Sequence, residues 1–245
     1  MANPFDPRAA YAAPVAAPAT FDAGLRSYML SVYNTMASGV LLTGIVALFM
    51  ARGVANSIAA QIFLQPGFLK YVIMLAPLGM VIWLNAGISR MSESAVKALF
   101  WVFAAVMGAS LSTIFLRYTG GSIAATFFAT SASFASLSLY GYTTKRDLGG
   151  VGKFLLMGLV GLVVASIANI FLHSGALDLI VSVIGVFIFA GLTVYDTQKI
   201  RQMYDVVAGT DMAGKSIVMG ALTLYLDFIN LFLFMLRFMG GGRSN

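Results

Sequence analysis

Charged residues make up only 10% of this 245-residue chain, cysteine is absent and histidine occurs once. Soluble domains carry about 25% charged residues, so a water-facing surface of this size could not be covered. A soluble enzyme, a secreted disulfide scaffold and a nucleic-acid-binding domain are excluded. Without cysteine there is no disulfide, no thiol nucleophile and no thiolate metal site. His173 has no carboxylate neighbour with which to build a metal site or a hydrolytic triad. No basic run exceeds two residues, so the net charge of +6 is not a phosphate-binding stripe.

What the chain has instead is apolar length. Hydrophobic residues reach 60% and the mean hydropathy is +0.90. A membrane span needs about 20 mostly apolar residues, and seven stretches qualify: Tyr28–Ala51, Leu69–Ile88, Val96–Leu116, Ile123–Gly141, Phe154–Leu172, Leu177–Tyr195 and Ile217–Met239. Their length favours helix, and the alternating segments of a transmembrane barrel are missing. The expected fold is an all-α integral membrane protein of seven transmembrane helices over residues 28–240. Residues 1–27, rich in alanine and proline, read as a disordered cytoplasmic tail without the features of a signal peptide. Residues 241–245 form a short C-terminal tail.

Lysine and arginine set the orientation. Counted outside the span centres, ten fall on the side of the N-terminal tail and five on the other. The richer side is cytoplasmic, which puts the N-terminus inside and the C-terminus outside. Small residues within the spans (Gly158 with Gly161, Gly185 with Gly191, and Ala129, Ala132, Ser133 and Ser136) read as sites of close helix packing. The sharper alternative is a polar path lined by the serines and threonines of the fourth span.

Of nine acidic residues, Asp196 and Asp227 are the two that lie within membrane-crossing helices away from an interface. Intramembrane acids are functional candidates by default. The midpoint between them falls in GTDMAG, the strongest turn signal of the region. If the sixth helix runs on to about Ala208 and the seventh starts near Gly214, each carboxylate stands about 18–20 Å from the turn and both share one depth. Two carboxylates in a poorly hydrated site cannot both ionise cheaply, so such a pair is pH-sensitive. It is also a hard-oxygen site for a divalent cation, with proton and cation competing for the same oxygens. The blander reading places Asp196 at the interface beside Lys199. Asn230, three residues beyond Asp227, is a candidate supporting partner. Arg90, at the cytoplasmic end of the second span, is a candidate counter-ion or simply part of the basic side.

The block AGLTVYDTQKI, followed by LTLYLDFINLFLFMLRF, resembles the signature of the Bax inhibitor-1 family, also called the transmembrane BAX inhibitor motif proteins. The specific part runs from about Val181 to Gly240, and the spans and topology look like a bacterial member. The resemblance implies a last helix surrounded by the other six and residence in the inner (plasma) membrane. It also implies a pH-sensitive calcium leak controlled by an aspartate pair, which matches Asp196 and Asp227 here. No catalytic residue or cofactor follows from it; the implied partners are the lipid bilayer, calcium ions and protons, and no protein partner is indicated. Two alternatives stand beside a channel. One is a non-transporting membrane factor that regulates or binds another protein. The other is a presenilin-like intramembrane aspartyl protease, suggested by Tyr195-Asp196 but lacking GxGD at Asp227 and a following PAL.

Overall fold

The computed structural model describes residues 18–241. Its long helices are α1 (Pro18–Met50), α2 (Leu69–Gly87), α3 (Glu93–Leu111), α4 (Gly120–Thr143), α5 (Gly149–Leu172), α6 (Gly175–Val207) and α7 (Ala213–Met239). All seven are long and apolar enough to cross a membrane. Short helical turns at Ile58–Phe63 and Ile114–Arg117 fill two of the connections.

Each start has a local cause. The hydroxyls of Ser92, Thr119 and Ser174 accept backbone N–H bonds from the first turns of α3, α4 and α6, satisfying donors that a helix end otherwise leaves open. His173 adopts a left-handed conformation (φ 51°) that ends α5 and lets α6 begin at Gly175, the tight hairpin expected from HSGA.

The helix α7 is the most buried of the seven and packs directly on α6, α1, α4 and α3. The ring around it is uneven: α2 packs mainly on α3 and α5 mainly on α6. These two outer helices are accordingly the most exposed to the surroundings. The main core brings Val32, Phe100, Phe103, Leu224, Tyr225 and Phe228 together around α7.

Two expected boundaries move. The first helix begins at Pro18 rather than at Tyr28, so residues 18–27 are helix and not tail. Proline is tolerated in a first turn because its missing N–H has no partner there, and Leu25 and Tyr28 join the core. The rest of the expected tail, and residues 242–245, lie outside the described residues. The sixth helix runs twelve residues past Tyr195 to Val207, close to the Ala208 that the depth argument required.

Small residues behave unevenly. A Cβ on Gly191 would meet Leu155 at 2.7 Å, whereas one on Gly161 would meet nothing within 4 Å. Ala132 and Ser136 face outward, while Thr126, Thr130, Ser138 and Gly141 form the buried side of α4.

Candidate functional site: a carboxyl pair between α6 and α7

Asp196 lies eleven residues before the end of α6, and Asp227 fourteen after the start of α7. The turn between them folds the two helices into an antiparallel pair, the most extensive helix contact of the bundle. Their carboxyl groups lie within reach of a side-chain hydrogen bond. Such a bond requires a proton on one of the two, because a carboxylate only accepts.

The surroundings of the pair are sparse in compensation. Asp227 is 5% exposed, and its Oδ2 has no hydrogen-bond partner among the described residues. Asp196 is half-buried, with the exposed Lys199 interacting from the next turn of the same helix. The ion pairs seen among the described residues are Lys97 with Glu93 and Arg237 with Asp178; neither touches the central pair. Among these residues no group of three or more metal-ligating side chains occurs. A cation here would therefore rest on two carboxylates and on neutral oxygens, a weak site by ligand count.

The register of α6 is held from the side. A Cβ on Gly141 would run into the Val194 carbonyl, and one on Gly152 into the ring of Tyr195. Both glycines let α4 and α5 approach α6 next to Asp196. Gln198 donates to the Arg146 carbonyl at 2.8 Å and accepts from Leu148 N at 3.1 Å, which binds the α4–α5 connection to α6.

A hydroxyl chain passes beside the pair. Tyr33 Oη lies 3.1 Å from Ser138 Oγ, which lies 2.9 Å from Thr197 Oγ1; Thr197 in turn donates to the Thr193 carbonyl. It links α1, α4 and α6 next to Asp196. A second connection fixes α7: Thr43 donates to the Ala104 carbonyl, so Tyr225 must donate its hydroxyl proton to Thr43, at 2.6 Å. Sequence reading named neither connection. Single serines, threonines and tyrosines scattered over four helices carry no spacing signal until the bundle brings them together.

The two supporting candidates stand elsewhere. Arg90 is exposed in the turn after α2 and forms no ion pair among the described residues. The carbonyl of Ile88 in that turn is held by Lys215 of α7 instead. Asn230 donates to its own helix, at the Leu226 carbonyl, and lines a crevice with Asp178 and Arg237 rather than meeting the carboxyl pair.

Residues 25–245 match the family described as Inhibitor of apoptosis-promoting Bax1. The chain is 47% identical to inner membrane protein YbhL of Escherichia coli, over 90% of this chain and 94% of that protein. It is 48% identical to a protein of Rickettsia prowazekii over 92% of this chain and 94% of the relative. To a Caulobacter vibrioides protein it is 44% identical over 91% and 92%. A seven-helix bundle with this sequence match over nearly its whole length is a membrane protein of the Bax inhibitor-1 family.

Proposed function

We propose that the protein is a pH-sensitive calcium leak channel in which protonation of the Asp196–Asp227 pair closes the path. The observation that carries this reading is the closeness of the two carboxyls, with Asp227 Oδ2 buried and without a hydrogen-bond partner among the described residues. While one proton is shared, the pair holds α6 against α7. Loss of that proton leaves two like charges in contact, which must separate or take a cation. Protons and calcium thus compete for the same oxygens, and flux falls as pH falls.

The relative YbhL is an inner membrane protein by name, which supports the same location for this chain. The excess of lysine and arginine at the end carrying the α6–α7 turn supports a cytoplasmic N-terminus there. The purified wild-type protein in liposomes loaded with a calcium indicator tests the reading. Calcium flux that increases from mildly acidic to mildly alkaline buffer is expected. Liposomes no leakier than empty ones at any pH would contradict it, and would favour a non-transporting regulatory role.

A further inference from the structure

A crevice of about 410 Å³ opens between α5, α6 and α7 at the end opposite the α6–α7 turn. Its mouth carries Asp178, in the first turn of α6, and Arg237, in the last turn of α7, with charged atoms 3.6 Å apart. Its inner end carries Asn230. On α7, Asp227, Asn230, Phe234 and Arg237 recur at helical spacing along one face. The crevice therefore runs along the stripe that ends at the buried carboxyl.

The polar atoms lining it have capacity to spare. Asn230 spends its NH₂ group on the Leu226 carbonyl, and its amide oxygen accepts no hydrogen bond among the described residues. Ser166 donates to the Leu162 carbonyl and keeps its lone pairs. Both side chains of the ion pair are more than two-fifths exposed, and each charge also suits the dipole of its own helix end. A pair of this kind opens readily. In the same position Arg237 lies over the Phe234 ring, 5.6 Å from its centroid. That ring stacks on Phe189, and a Cβ on Gly185 would lie 2.5 Å from it. Leu192, one turn from Asp196 and outside the crevice lining, packs in one apolar cluster with Leu231.

We propose that this crevice is the extracytoplasmic half of the cation path: Asp178 draws a divalent cation in when Arg237 releases it, and Asn230 is the last polar ligand before Asp227. Leu192 and Leu231, which do not line the crevice, are the barrier between it and the carboxyl pair. The assignment rests on the leak reading above, but its own signature is a water-filled, calcium-binding crevice that is detectable without flux.

The absence of cysteine makes thiol labelling clean. Single variants Ser166→Cys, Asn230→Cys and Leu192→Cys in sealed vesicles meet a membrane-impermeant, positively charged thiol reagent on the extracytoplasmic side. Labelling after solubilisation confirms that each thiol is present. Cysteines at 166 and 230 are expected to react and the one at 192 to stay protected. Calcium is expected to slow the reaction at 230 severalfold, and Asp178→Asn to remove that protection. Arg237→Gln is expected to speed the reaction at 230 severalfold. Thiols at 166 and 230 that stay inert, as they would if a lipid chain filled the crevice, would overturn the proposal, as would reaction that calcium leaves unchanged. Liposomes no leakier than empty ones, with calcium protection intact, would instead remove the leak reading and leave the cation site standing.

Discussion

Asp196 of α6 and Asp227 of α7 bring their carboxyl groups within hydrogen-bonding reach inside the bundle, and Asp227 Oδ2 has no partner among the described residues. A structural role alone accounts poorly for this arrangement, since a buried polar atom left without a partner costs about 1–3 kcal/mol. An asparagine at 227 would donate to Asp196 without needing a shared proton. The carboxyl form is the one that binds protons and cations.

The first consequence is a pH-dependent stability. The hydrogen bond exists while one proton is held between the carboxyls, and its removal leaves like charges in contact. Thermal unfolding of the wild type in detergent is expected to move to lower temperature as pH rises and the shared proton is lost. Asp227→Asn is expected to flatten that dependence. A wild-type melting temperature that rises over the same range would be inconsistent with a shared proton.

The hydroxyl chain beside the pair is expected to be structural. Ser138→Ala removes bonds to Tyr33 and Thr197 and should cost about 0.5–1.5 kcal/mol for each bond lost, read as a lower melting temperature. Its calcium flux should keep a wild-type pH response. Loss of that response in Ser138→Ala would move the proton-sensing role from the carboxyls to the hydroxyls.

Tyr225→Phe separates packing from hydrogen bonding in α7. The ring stays among Phe100 and Phe103, and Thr43 keeps its bond to Ala104, so no donor is orphaned. The expected loss is about 1 kcal/mol, seen as a small drop in melting temperature with flux unchanged.

Gly141→Val places a side chain where α4 touches the Val194 carbonyl. Backbone cannot rotate away as a side chain can, so α4 and α6 must part. Overpacking of this kind costs about 1–3 kcal/mol. The displacement falls two residues from Asp196, so the midpoint of the pH response should shift as well. A variant with wild-type melting temperature would show that the contact is looser than the geometry indicates.

Much of this site was legible in the sequence because the membrane removes alternatives. Apolar length fixes the spans, and GTDMAG fixes where α6 turns into α7. With Val207 and Ala213 as the actual helix ends, the depth shared by the two aspartates followed from helix rise alone. That they face each other did not follow, since rotation about a helix axis depends on packing such as that of Gly141 and Gly152 against α6. The start of α1 was missed because Pro18 and its alanine-rich neighbours have the composition of a tail, whereas a helix start tolerates proline. Asn230 was read as a neighbour of Asp227 from its spacing; the side chain turns toward the α5 crevice instead. Arg90 stands on the basic side as expected, but in an exposed turn.

The most direct measurement is calcium flux in proteoliposomes across the neutral pH range, comparing wild type with Asp196→Asn and Asp227→Asn. Wild-type flux should rise with pH, and each substitution should leave a flux that no longer responds to pH, because one remaining carboxyl has no partner to share a proton with. A wild-type pH response retained in Asp227→Asn would contradict gating by the pair.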